Sequence, residues 1–232
     1  SNIGANHSFL IPEWALLAND KDADSPNLDV AAFGSFTGHH FSQHLEGKGS
    51  NGALRFGDDD TLGGSFAYQA TDGTDKSAFA NVGIQNQEGG DITGTDADEI
   101  LIGTSSTEKL DGGGGNDIIV PGGYNAGSEI VLGGAGDDII VFEPFTTIDG
   151  GTDNVDTSGG LASSADKHGD VLVVTANVDF SDPAATRAHS FETISTEGKF
   201  GAVGQQVLAI DAQNVRWLSD HSITPGGGFG EH

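Results

Sequence analysis

A nine-residue repeat is the feature that most constrains how this chain can fold. Between Gly112 and Val141 the sequence reads GGGGNDIIVPGGYNAGSEIVLGGAGDDIIV, in which glycine-rich turns alternate with short apolar runs. One apolar residue recurs in each unit, at successive spacings of 9, 9, 12, 9 and 8 residues. These positions are Leu101, Leu110, Ile119, Val131, Ile140 and Ile148. A short fixed period of this kind is typical of stacked units that bury a common core.

An acidic residue precedes most of these apolar positions by two residues. The acids are Glu99, Glu108, Asp117, Glu129 and Asp138. The one longer interval reflects three extra residues around Tyr124–Ala126. Glycine supplies the backbone conformations of tight turns, and each short strand directs one apolar side chain inward. We therefore predict a two-sided parallel roll, in which no single unit can bury its own apolar face.

Alternate turns of such a roll face opposite sides, so the two sides can be compared. The first side is rich in Gly and Asp and carries turns 94–99, 112–117, 133–138 and 150–154. The second side has Glu in place of Asp and carries turns 103–108, 121–129 and 142–147. Calcium prefers carboxylate and carbonyl oxygens, whereas zinc and copper favour His and Cys. We therefore predict a column of about two or three Ca²⁺ ions on the first side.

The predicted calcium ligands of the roll come from its stacked turns. They are Asp117 and Asp138, together with Asp96, Asp98, Glu99, Asn116, Asp137 and Asp153. On the second side, Glu108 and Glu129 are predicted to hold one weaker ion. The chain carries 35 acidic and 9 basic residues, for a formal charge of −26. Self-repulsion at this charge opposes compaction unless cations neutralise it, and it makes nucleic acid a poor partner.

Residues 94–153 resemble the calcium-binding nonapeptide repeats of RTX proteins. The resemblance is most specific at Gly112–Val120 and Gly133–Val141. It implies a parallel β-roll, folding driven by calcium, and export by a type I secretion machine. The insertion at Tyr124–Ala126 and the altered turn at Phe142–Thr147 depart from the family pattern.

We predict an all-β chain, since no long stretch repeats with the 3.6-residue period of a helix. Residues 1–88 alternate short strand-like runs with Gly, Asp and Asn turns, which indicates a small β-sandwich. Residues 89–160 are expected to form the calcium-binding roll. Residues 161–232 contain DVLVVTANVDF and further runs that resemble the β-rich cap following RTX repeats. A cap is expected physically, because the open end of a roll exposes an unpaired edge.

A second calcium site is predicted in the N-terminal domain. The stretch LANDKDAD at 17–24, followed by LDV, resembles the start of cadherin-like or Ig-like domains in large bacterial surface proteins. That resemblance implies shared calcium ligands at Glu13, Asp22, Asp24 and Asp72. Independently of it, DKDAD offers three carboxylates at alternate positions, which a loop can direct at one hard cation. The nearby HHFSQH at 39–44 is interpreted as a solvated loop rather than a zinc site.

These features favour a non-enzymatic function. We predict a calcium-stiffened C-terminal segment of a large secreted bacterial adhesin or surface protein, extracellular or at the cell surface. Self-assembly into a homopolymer, surface layer or matrix is a further expectation, because a strand edge can pair with another copy. No stretch reaches the ~18 apolar residues of a membrane span, and no HExxH motif is present. The chain contains no Met, which we interpret as part of a longer polypeptide.

The sequence is also consistent with two alternative functions. The first is the secretion and folding module of an exported protease or lipase whose catalytic domain lies outside this sequence. The second is a self-processing calcium module that cleaves at Asp182–Pro183, since such a bond is cut in some RTX proteins. Asp-Pro is also common in ordinary turns.

Overall fold

Short strands make up nearly all the regular structure of the chain, and the predicted all-β class is confirmed. The computed structural model describes residues 8–25, 27–45, 52–58, 62–85, 90–103, 108–122, 129–144, 146–152, 169–175, 177–180, 187–191, 193–196 and 208–209. Among these residues the helix α1 (Glu13–Leu16) is a single turn. No helix in these ranges is long and apolar enough to cross a membrane.

The described residues of the N-terminal part form six strands. They are β1 (Ser8–Pro12), β2 (Asp29–Thr37), β3 (His39–Leu45), β4 (Ala53–Asp58), β5 (Gly64–Thr71) and β6 (Ala80–Ile84). They pair into two antiparallel three-stranded sheets, in the orders β1-β4-β3 and β2-β5-β6. The interpretation of HHFSQH as a solvated loop is wrong, because these residues lie in β3 and pair with β4.

The two N-terminal sheets share one apolar core. Leu54 and Phe56 of the first sheet are at most 1% exposed, and they belong to the same buried cluster as Phe66 and Tyr68 of the second. Phe66, Tyr68 and Ala70 alternate along β5, so all three side chains point into this cluster. Two antiparallel sheets that face one core have the layering of a sandwich.

The repeats form a β-solenoid consistent with the predicted parallel β-roll. One sheet contains β8 (Ile100–Ile102), β10 (Ile118–Val120), β12 (Ile139–Val141), β14 (Val171–Val173) and β17 (Thr193–Ser195). The facing sheet contains β7 (Ile92–Thr93), β9 (Lys109–Gly114), β11 (Ile130–Ala135), β13 (Thr147–Thr152) and β16 (Arg187–His189). All strand pairs within both sheets are parallel. The reason is that the chain visits the facing sheet between two neighbouring strands and returns running in the same direction.

The core of the roll contains every apolar position that the repeat predicted. Leu101 is 3% exposed, and the other five predicted positions are completely buried. Each is the inward residue of its strand, so a row of side chains from each facing sheet meets in one central column. Ile92, Leu172 and Ala188 extend this column at its two ends.

The roll continues into the region expected to act as a cap. Val171 of β14 pairs with Ile139 of β12, so the chain resumes the roll after residues 153–168. β16 and β17 add one further strand to each sheet. A separate two-stranded pair is formed by β15 (Val178–Asp179) and β18 (Leu208–Ala209). A domain boundary at 160 stays a prediction, but the strand pairing of the roll extends past it.

The N-terminal part packs against the outer face of the roll. Trp14 and Ala15 of α1 form a buried cluster with Ile118, and Ile100 and Val120 pack against it. This contact explains why the short roll strands read ILI, IIV and IIV. The middle residue of each strand enters the roll, and the flanking apolar residues are covered by the neighbouring sheets instead of water.

Candidate calcium sites

The acids at the ends of the first-side turns form a buried ladder. The backbone N–H of Glu99 donates to Oδ1 of Asp117 at 2.9 Å, and that of Asp117 donates to Oδ1 of Asp138 at 2.8 Å. The N–H of Asp138 in turn donates to Oδ1 of Asp170 at 2.7 Å. Asp117, Asp138 and Asp170 are each at most 1% exposed. The structure therefore stacks the two principal predicted ligands directly above one another, inside the protein.

The glycine that opens each turn makes room for this ladder. A Cβ atom on Gly112 would overlap Oδ2 of Asp117, and one on Gly133 would overlap Oδ2 of Asp138. In both turns the glycine precedes the acid by five residues. The repeat thus places a residue without a side chain where its own carboxylate folds back.

A second ladder lies on the outside of the same turns. The N–H of Asn116 donates to Oδ1 of Asp98 at 2.8 Å, and the N–H of Asp137 donates to Oδ1 of Asn116 at 3.1 Å. Asp96 is exposed on the first turn and approaches Gly114 of the second. The predicted ligands of turns 94–99, 112–117 and 133–138 are therefore brought together on one side. Asp153 lies outside the described residues.

Asp117 carries the clearest electrostatic strain in this ladder. Burial, together with repulsion from Asp138 and Glu99, raises the pKa of its carboxyl to about 7. The hydrogen bond from the Glu99 N–H lowers the pKa and so opposes this shift. Its Oδ2 atom is buried without a hydrogen-bond partner. A buried anionic oxygen left in this state is costly, and a divalent cation or a proton relieves the cost.

Two acids on the opposite side of the roll are also buried. Glu108 is 4% exposed and Glu129 is 6% exposed. Burial, followed by repulsion from Glu143 and Glu108, raises the pKa of Glu129 to about 7, while a hydrogen bond with Thr146 opposes the shift. Glu108 and Glu129, predicted to hold a weaker ion, are thus close enough to interact, and Glu143 joins them.

Three carboxylates of the N-terminal part meet at the surface. Asp22, Asp24 and Asp72 each place a carboxylate oxygen within 4.8 Å of the others. Oδ1 of Asp22 accepts the N–H groups of Asp24 and Ser25, which holds the DKDAD loop in a turn. A hydrogen bond with Asp22 and repulsion from Asp22 and Asp72 raise the pKa of Asp24. Carboxylate oxygens converging in this way suit a hard cation.

Within the described residues, the roll contributes no group of three acidic side chains at this spacing.

Glu13, the fourth ligand implied for this site, does not belong to the group of three. It is 1% exposed, and its Oε1 lies 2.5 Å from Nε2 of His44. Its Oε2 accepts the N–H of Gly52 at 3.1 Å. Burial raises the pKa of Glu13, and the His44 contact opposes that shift. In this arrangement Glu13 ties α1 to β3 and to the chain before β4.

Asp170 and Glu143 belong to the two buried groups of acids in the roll, and neither was predicted from the sequence. Asp170 was overlooked because residues 153–168 interrupt the nine-residue period. The sequence does contain a signal, since DVLV at 170–173 repeats the pattern of DIIV at 117–120 and 138–141. Glu143 was overlooked because it does not stand two residues before an inward position.

The buried acid makes the metal-free protein sensitive to pH. The pKa of Asp117 is about 7 in the folded chain and 3.8 in its unperturbed state, so the folded state binds more protons between these values. The stability that protonation of Asp117 contributes to the folded state therefore falls as pH rises through this window. We expect Asp117→Asn to gain stability relative to wild type from about pH 5 to about pH 7.5, by on the order of 2 kcal/mol. Urea unfolding in chelator at both pH values measures this, and parallel pH profiles for the two proteins would contradict it.

No protein-family model, curated protein or solved structure matches this chain.

Proposed function

We propose that the protein is a calcium-binding structural segment of a secreted protein, whose roll folds and stiffens when the ions bind. The observation that carries this proposal is the buried carboxylate ladder, with Oδ2 of Asp117 lacking a hydrogen-bond partner. A chain with a formal charge of −26 has few internal cations to neutralise such a ladder. External divalent cations meet this need, and calcium accepts the flexible oxygen geometry of stacked turns.

The proposed ions fall into two groups. Those of the roll would bind along the first side, where Asp117 and Asp138 are stacked and Asp98, Asn116 and Asp137 lie outside them. The other group would bind at Asp22, Asp24 and Asp72. Because the stacked turns exist only in the folded chain, the binding free energy of the roll ions becomes folding free energy.

The extracellular and adhesive role belongs to the same proposal. Weak calcium sites remain unfilled at cytosolic calcium and fill at millimolar concentrations, which suits folding after export. The resemblance to RTX repeats supports secretion by a type I machine. The packing of α1 on the roll would transmit the stiffness of the roll to the N-terminal sheets, as an adhesin or surface-layer protein requires. Self-assembly and the RTX relationship stay proposals of the same kind.

Calorimetric titration with calcium tests this function. Wild type is expected to bind several ions, with dissociation constants of about 10⁻⁴–10⁻³ M. Asp117→Asn should remove or weaken at least tenfold the roll ions and spare the surface site, whereas Asp24→Asn should do the opposite. Asp179→Asn, which neutralises an exposed acid of β15, is the matched control and should bind as wild type does. Binding that is absent in wild type, or equal in all four proteins, would refute the proposal.

A further inference from the structure

A groove of about 720 Å³ separates the N-terminal sheets from the roll. One wall is the single strand β6, and residues 80–85 line the groove without a break. The groove is also lined by the first-side turns of the roll, including Asp98 and Asp137. Apolar side chains from both parts, among them Leu16 and Ile118, line it as well. The groove is therefore partly apolar, and β6 lines it along the whole length of the strand.

The strand in the wall is the edge of its sheet. In the part of the chain that the structure describes, β6 pairs with β5 from Ala80 to Ile84 and has no partner strand on its other side. An edge strand of this length carries backbone N–H and C=O groups that can pair with an added strand. The sequence ANVGI has no charge and no Pro, two of the devices by which proteins protect such an edge.

The charge of the groove has one sign. Five of the described residues that line it are acidic and none is Lys, Arg or His. The acids are Asp20, Asp98, Glu99, Asp117 and Asp137. Asp20 lies on the N-terminal side, where it accepts a hydrogen bond from the Tyr68 hydroxyl at 2.9 Å. Asp98, Glu99, Asp117 and Asp137 are also predicted calcium ligands. With the ions bound, Asp20 and the net charge of −26 of the chain still favour a cationic ligand in this groove.

We propose that this groove binds an extended cationic peptide segment of a partner protein, which adds as a strand to β6. Backbone hydrogen bonds to β6 supply affinity, and alternate side chains of the added strand point to opposite faces. Apolar side chains on one face meet Leu16 and Ile118, and Lys or Arg on the other reaches Asp20, which is not among the proposed calcium ligands. The chain has 9 basic and 35 acidic residues, so a segment of a second copy rarely carries the Lys or Arg that this groove favours, and the proposed self-assembly would use another edge.

Fluorescence anisotropy with designed peptides tests the proposal, at a calcium concentration where circular dichroism shows the protein folded. The probe is a labelled peptide of about eight residues that alternates Lys and Val, long enough to cover a typical strand. Its matched controls are a Glu-Val peptide and a Lys-Val peptide N-methylated at alternate residues. The first control reverses the charge, and the second keeps the charge but cannot pair fully with an edge.

We expect the Lys-Val peptide to bind and both controls to bind at least tenfold more weakly. Asp20→Asn keeps an acceptor for the Tyr68 hydroxyl and should weaken binding about threefold or more, with Asp179→Asn as the unaffected control. Hydrogen exchange should slow at residues 80–84 when the peptide is bound. Equal binding of the methylated peptide, equal weakening by the two Asn variants, or protection confined to other strands would each overturn the proposal.

Discussion

Removing calcium with excess chelator is expected to lower the thermal midpoint of the folded protein by about 10 °C or more. Each ion at about 100 times its dissociation constant, which is about 10 mM calcium for a site of about 10⁻⁴ M, stabilises the folded state by about 2.7 kcal/mol. For a chain of this size, each kcal/mol shifts the midpoint by about 2–4 °C. Two ions in the roll therefore suffice for the expected change. The physical source is the ladder of Asp117 and Asp138, whose repulsion returns when the ions leave.

Circular dichroism melts in calcium and in chelator measure this difference. Magnesium is the matched control, because its preference for short octahedral bonds and bound water makes stacked carbonyl turns a poor site. We expect magnesium to restore less than half of the lost stability. Identical melting curves in calcium and in chelator would show that the ladder needs no cation, and the central proposal would then fail.

Gly133→Ala is expected to destabilise the roll by about 4 kcal/mol or more. A methyl group at this position would overlap the carbonyl oxygen of Gly150 in the next turn and Oδ2 of Asp138 in its own. Both obstacles are fixed, because β11 and β13 are hydrogen-bonded neighbours and Asp138 is fully buried. The turns can separate only by breaking the stack that holds the ladder together.

Gly34→Ala provides the control for this substitution. A Cβ atom on Gly34 would have no atom within 4 Å, and its φ does not require glycine. We expect Gly34→Ala to change the free energy of unfolding by less than about 1 kcal/mol. Urea unfolding of both variants in calcium makes the comparison. Equal changes in the free energy of unfolding for the two variants would contradict the explanation that the close approach of the turns requires glycine at position 133.

Several features of the roll followed from local sequence pattern. The spacing from Leu101 to Ile148 correctly placed six inward positions, because a parallel solenoid buries the same position of every unit. The first-side turns were also predicted to stack, and Asp117 and Asp138 are neighbours in the ladder. These predictions depended on a repeated local unit, because the spacing within one repeat gives the positions of the equivalent residues in the next.

Other features required the three-dimensional arrangement. Asp170 enters the ladder after residues 153–168, and no spacing rule gives the length of that interval. Glu13 resembled a calcium ligand in the sequence, yet burial under the N-terminal sheets pairs it with His44. The groove beside β6 exists because two differently built parts pack together through Trp14 and Ile118.

The sequence by itself determined the unit of this protein: a glycine turn, an acid, and one inward apolar side chain, repeated. That much is local, since backbone freedom and side-chain polarity act within about nine residues. Only the tertiary structure decided which carboxylates are buried and how far the roll extends. It also decided where an edge strand is left open beside an acidic wall. Those outcomes depend on contacts between residues distant in the chain, whose free energies no short stretch of sequence contains.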